Sequence, residues 1–114
     1  MSDQSFGPWL SGTKRALGLL ASTADIQAQY LSDLGAPGVV DELALELDAM
    51  LTPLKSILSA RAAERALSKL RDVEEALDDP DLEWTLQSLE LSMKWESLRQ
   101  LAFDALRELQ VLAD

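Results

Sequence analysis

Apolar residues recur along this chain at steps of three and four, the spacing of one helical face. Leu10, Thr13, Leu17, Leu20, Ala24, Ala28, Leu31 and Leu34 follow one such face, with Leu19, Ile26 and Tyr30 as a narrower stripe beside it. Pro8 suits the first helical position, where a missing N–H costs nothing. Gly35 suits the stop, because glycine takes the left-handed conformation after a helix, and Pro37 cannot continue one. Gly12 and Gly18 weaken the early turns by about 1 kcal/mol each relative to alanine. The first predicted helix therefore spans 8–34, preceded by a loose polar arm over 1–7.

A second helical region is predicted over 37–77. Leu43, Leu47, Met50, Leu54 and Ile57 form its first stripe, and Ala63, Leu67, Leu70, Val73 and Leu77 its second. The alternation Leu43-Ala44-Leu45-Glu46-Leu47 resembles a strand, but its extension to Met50, Leu51 and Leu54 favours helix. Pro53 is the interruption, at a cost of roughly 3 kcal/mol inside a helix, so the region is expected to be kinked or split there.

Asp79-Pro80-Asp81 reads as an N-cap, a first-turn proline and an acid on the positive end of the helix dipole. From it Trp84, Ser88, Leu91, Trp95, Leu98, Ala102, Ala105, Leu109 and Leu112 alternate steps of four and three, as a heptad seam does. A helix over 80–112 would be about 50 Å long at 1.5 Å per residue. Leu82, Leu86, Leu89 and Met93, then Leu101, Phe103 and Leu106, widen its apolar surface beyond what one neighbour covers. The expected fold is thus all-α, an antiparallel bundle of three long helices in one domain over 8–114. Trp84, Leu91, Trp95, Leu98, Leu109 and Leu112 are the candidate interface with a second copy, in a helical homodimer.

Composition narrows the chemistry. The 114 residues include no Cys and no His, which removes disulfides, thiolate nucleophiles, Cys- or His-ligated zinc and imidazole acid–base catalysis. Formal charge is −10, which disfavours anionic membrane surfaces and direct nucleic-acid binding. No run reaches the ~18–20 apolar residues of a membrane span, and the N-terminus lacks a secretory pattern, so a cytoplasmic protein is expected.

Charge is also segregated. Residues 52–73 carry a net +3, and Arg61, Arg65 and Lys69 at i, i+4, i+8 form a candidate basic stripe on one helix face. Residues 74–90 carry −7 with no base, and Glu74, Glu75, Asp78, Asp79, Asp81 and Glu83 form a candidate acidic patch. Residues 41–48 add −4 through Asp41, Glu42, Glu46 and Asp48. Such patches usually face solvent; their functional use is to steer an oppositely charged partner.

Catalytic and metal patterns fail on spacing. Asp79, Asp81, Glu83, Thr85, Gln87 and Glu90 match the ligand positions of a calcium loop, but Trp84 stands where its sharp turn needs glycine. Glu75 and Asp78 supply half of a magnesium-dependent helical hydrolase, while Glu42 and Glu46 miss the other half by one residue. A di-metal bundle needs histidine. An arginine-clamp lyase or mutase would use Arg61, Arg65 and Lys69 with Arg99. No catalytic, metal or cofactor residue is assigned. The expectation is a non-enzymatic acidic protein acting through protein–protein contacts as a homodimer, in an adaptor, regulatory or assembly role. The alternative is an acidic inhibitor that blocks a basic site, as immunity proteins, antitoxins and nucleic-acid mimics do.

Overall fold

The computed structural model describes residues 2–36, 38–61 and 63–111, with side chains from residue 8 onward. Six helices follow in order: α1 (Ser2–Leu20), α2 (Ala24–Asp33), α3 (Glu42–Ala60), α4 (Glu64–Leu77), α5 (Leu86–Leu91) and α6 (Met93–Gln110). No strand occurs among the described residues. The all-α class holds, but each of the three long helices is two shorter ones.

The backbone is helical from Ser2, so residues 2–7 of the expected arm are the first turns of α1 and Pro8 lies inside the helix. Its ring crowds the carbonyl of residue 4 in the first turn, where few hydrogen bonds resist adjustment. α1 ends at Leu20, and its orphan carbonyls are taken by side chains. Ser22 Oγ donates to Gly18 O at 2.7 Å, and Gln27 Nε2 donates to Leu19 O at 3.2 Å and Leu20 O at 3.0 Å. The stop after α2 forms as glycine chemistry requires. Gly35 has φ +82°, Ala36 N–H reaches Leu31 O at 2.9 Å and Gly35 N–H reaches Ser32 O at 3.1 Å, a Schellman closure.

Helix α3 begins at Glu42 rather than 37, because turns around the left-handed Gly38 carry the chain into it. Pro37 lies outside the described residues. Of the kink or split expected at Pro53, the split does not occur: α3 runs through the proline to Ala60. Leu43, Leu47, Leu51, Leu54 and Leu58 are buried in one stripe on both sides of it. Each fully buried leucine contributes roughly 1.5–3 kcal/mol, which outweighs the proline. The chain turns at Arg61 instead, closed by Ala63 N–H on Leu58 O at 2.9 Å.

The 80–112 rod does not form either; at about 50 Å it would exceed the molecule's longest extent of 43 Å. Asp79-Pro80-Asp81 makes a turn, with Asp79 Oδ1 accepting from Asp81 N–H at 2.9 Å and Asp79 O from Leu82 N–H at 3.0 Å. Thr85 caps α5 through Ser88 N–H at 3.0 Å, and Ser92 caps α6 through Lys94 N–H at 3.1 Å. The gain is Trp95. Its indole Nε1 donates to Glu83 O at 2.7 Å, and its ring meets Trp84 edge-on with centroids 5.4 Å apart. In a continuous helix those partners would stand about 16–18 Å apart along the axis.

Helices α1, α3, α4 and α6 close a ring of contacts, α1 on α3, α3 on α4, α4 on α6 and α6 on α1, with α2 and α5 packed on each other and on the ring. Neighbours run antiparallel. Thr13 meets Met50 while Arg15 meets Glu46, and Arg65 meets Glu108 while Asp79 meets Lys94. In both pairs one index rises as the other falls. Leucines dominate the interior, among them Leu10, Leu17, Leu47, Leu54, Leu70 and Leu98.

Candidate functional site

The expected interface residues separate. Trp95, Leu98 and Leu109 have no exposed surface within a single chain, so they are core and offer nothing to a second copy. The folding back of α5 and the ring of four helices cover the flank that a straight rod would have left open. Trp84 is half-buried against that core, and Leu91 is 72% exposed. Leu112 lies outside the described residues.

The basic stripe is also divided, because the chain turns where the helix was expected to continue. Arg61 sits at the C-cap of α3, while Arg65 and Lys69 lie on α4. Arg65 pairs with Glu108 at 3.2 Å and shares a polar notch with Lys69, Asp104 and Arg107. Arg99 stands nine residues before Glu108, about 13 Å along α6, so the fold does not bring it to Arg65 and Lys69. It belongs to a buried junction, with its side chain only 11% exposed. Arg99 Nε and Nη2 donate to Gln27 Oε1 at 3.3 and 3.1 Å, and Nη2 also donates to Leu89 O. Gln27 thus closes α1 while Arg99 closes α5, and Glu96 Oε2 lies 3.4 Å from Arg99 Nη1. A surface depression of about 490 Å³ lies over this junction, lined in part by Glu90, Arg99 and Phe103. Its one cation is already bound by three acceptors, so it presents little grip to an anion.

Within the acidic patch, two members are compensated. Glu74 pairs with Lys55 at 2.8 Å and Asp79 with Lys94 at 2.7 Å. The Lys94 ammonium, then the Asp81 N–H, hold the Asp79 carboxyl below its usual 3.8, and the same contact raises Lys94 above 10.5. Glu75, Asp78, Asp81 and Glu83 are exposed. Among the described residues none of these four has an ion-pair partner.

The antiparallel packing of α3 and α4 brings the end of this patch to the start of α3, and there the two acidic runs meet. A hollow of about 200 Å³ lies between them. Ala44, Leu45, Leu77 and Trp84 give its lining apolar surface, and Asp41, Asp48 and Asp78 give it three carboxylates. Leu77 and Trp84 pack on the core, whereas Leu45 remains 53% exposed. None of the three aspartates takes part in an ion pair among the described residues.

The electrostatics of this corner run against the helix. α4 ends in Glu74, Glu75 and the C-cap Asp78 with no base in its last turn, although the C-terminus of a helix favours cations. Lys55 answers Glu74; among the described residues no cation pairs with Glu75 or Asp78. Local conflicts of this kind concentrate at sites that act on something else.

Among the described residues no group of three or more acidic side chains is placed to hold a metal ion. The calcium-loop spacing over 79–90 dissolves into a turn and α5. No helix among the described residues is long and apolar enough to cross a membrane. Comparison of the chain with family models, with curated proteins and with solved structures finds no match.

The acidic half of the hollow was visible in the sequence, but Leu45 and Asp48 were not recognised as its other wall. Leu45 stands off the buried Leu43–Leu47 stripe, one helical turn from Asp41 on one side and Asp48 on the other, which is the signal that marks it. Gln27, alone among apolar neighbours on α2, was the corresponding signal for the junction with Arg99.

Proposed function

We propose that this chain is a non-enzymatic binding protein that engages a protein partner with a basic surface through its acidic corner. One observation carries the proposal: two acidic runs far apart in sequence, 41–48 and 74–83, meet at one hollow with apolar lining, where Asp41, Asp48 and Asp78 have no ion-pair partner among the described residues. Apolar lining supplies affinity on contact, and the surrounding negative field speeds encounter with a basic surface. Blocking a basic site on an enzyme or a nucleic-acid-binding protein is the role most in keeping with these parts.

The test is capture of partners from the native host on the immobilised chain at low and high salt. Replacing Asp41, Asp48 and Asp78 together by lysine is expected to remove a salt-sensitive partner. A control set with the same change in net charge, Asp25→Lys, Glu64→Lys and Glu90→Lys, is expected to retain it. Equal loss in both sets would leave only bulk charge as the cause, and retention in both would end the proposal.

Self-association is the alternative that one observation favours. Leu91 and Met93, on either side of Ser92, are 72% and 80% exposed. Sedimentation that depends on concentration in the native chain, but not in a Leu91→Ser/Met93→Ser variant, would support it; a monomer at every concentration removes it.

A further inference from the structure

We infer that the hollow between the start of α3 and the end of α4 receives one arginine side chain projected by a protein partner. The inference rests on the binding role proposed above and names the chemistry of the contact.

Size limits the occupant first. At about 200 Å³ the hollow falls below the roughly 300–1,000 Å³ of small-molecule sites, so it suits a single long side chain. Shape and charge then select which one. The lining combines apolar surface from Leu45, Leu77 and Trp84, which suits an apolar stem, with the carboxylates of Asp41, Asp48 and Asp78, which suit a cationic head. Lysine and arginine alone combine the two. An apolar side chain would desolvate the carboxylates without pairing them, and an acidic one would be repelled. A metal ion does not fit either, because the carboxylates are not grouped closely enough to ligate one.

Arginine is preferred over lysine on three grounds. Its planar guanidinium stacks on an aromatic face, forks onto more than one carboxylate oxygen and loses less hydration on burial. Trp84 is the aromatic residue in the lining. Its ring is fixed against Trp95, whose own indole is tied to Glu83 O. The occupant also corrects the conflict at the end of α4, since a cation beside Asp78 sits where the helix dipole favours one.

The probe is the tripeptide acetyl-Ala-Arg-Ala-amide, titrated into the full chain labelled with nitrogen-15. The indole N–H of Trp84, identified by its loss in Trp84→Phe, and the backbone amides of residues 44–48 and 77–79 are expected to move together and saturate. The same peptide with citrulline, of equal shape but uncharged, should produce less than about a tenth of that shift, and the lysine peptide should bind several-fold more weakly. Asp48→Asn with Asp78→Asn should weaken the arginine peptide about three- to tenfold, in keeping with exposed charge pairs.

Equal shifts from citrulline would show a merely apolar patch, and equal binding of lysine would remove the preference for arginine. Shifts spread evenly to Asp25 and Asp33 on α2 would show counterion attraction alone. Each overturns the inference. Should the peptide leave Trp84 unmoved while the triple lysine variant still loses a host partner, the acidic corner acts through its field only; the binding role then survives and the arginine pocket does not.

Discussion

Two places in this molecule combine charge with apolar surface, and they do so in opposite ways. At the junction of α2, α5 and α6, Gln27 is buried and the Arg99 side chain largely so, and their polar atoms meet the carbonyls of Leu19, Leu20 and Leu89 or each other. At the corner of α3 and α4, Asp41, Asp48 and Asp78 line a hollow with apolar surface and meet no cation among the described residues. The first arrangement completes the fold. The second leaves unfavourable charge on a helix end and open apolar surface beside it. A charged side chain in a depression is therefore a poor guide to function until its partners are counted, and on that count the larger depression over Arg99 yields to the smaller hollow.

Trp95 joins the two places, since its ring supports Trp84 on one side and Arg99 follows it by one turn of α6. Trp95→Ala is expected to cost about 3–5 kcal/mol, the usual range for an aromatic removed from a core. Urea denaturation followed by circular dichroism measures it; a loss below about 1 kcal/mol would mean that this tryptophan does not anchor the fold. The next largest effect belongs to the junction. Gln27→Leu strips two helix-end carbonyls and leaves the Arg99 guanidinium short of an acceptor, for an expected loss of about 2–4 kcal/mol. Arg99→Met should cost about 2–3 kcal/mol, and the double variant should cost clearly less than the sum, because each single change already breaks the shared contact. Additive losses would show that the two side chains act separately.

The comparison also explains what could be read in advance. Helical class and most of the core followed from periodicity, since Leu10, Leu17, Leu20, Leu31, Leu43, Leu47, Leu54, Leu70 and Val73 lie on the stripes and are buried. The stop at Gly35 followed from backbone sterics. The breaks at Ser22, Arg61 and Ser92 did not, because no glycine or proline stands at them and tertiary contacts set them. Ser92 is a helix interior by spacing and an N-cap only once Trp95 turns back to Glu83. Ser88 on the apolar seam, with Thr85 and Ser92 close by on either side, is the available warning. The acidic patch was legible as a run of sequence. Its apolar lining was not, because Leu45 and Trp84 meet only after α3 and α4 pair.

At the hollow, removing charge is expected to act with the opposite sign. Asp78→Asn relieves a carboxylate at the negative end of α4 and keeps the size of the side chain and the backbone N–H that closes the helix. It should raise stability by about 0.3–1 kcal/mol at low salt, with the gain shrinking as salt is added. Glu75→Gln should act in the same direction and by less. Thermal melts at two ionic strengths decide the matter. A destabilised Asp78→Asn would mean that the carboxylate serves the fold, and the contrast with the junction would fail.

The smallest expected effect concerns Asp79 and Lys94, which lie in the same acidic patch but resemble the junction in being paired. The Lys94 ammonium and the Asp81 N–H lower the Asp79 carboxyl from 3.8, so the folded chain binds this proton less readily than the unfolded one. That contribution is present at neutral pH and is lost as pH falls below 3.8 through the lowered folded value. Lys94 is raised above 10.5, so its contribution is present below that value and is lost as pH climbs past it. Asp79→Asn retains an acceptor for the Asp81 N–H and removes only the charge. The stability difference between native chain and variant should be flat from about pH 5 to pH 10 and close at both ends. Both side chains are open to solvent, so the difference should be small and should fade with salt. A difference that persisted unchanged to pH 2 would show that the variant disturbs the 79–82 turn itself, and the ion pair would lose its claim to hold the patch against the start of α6.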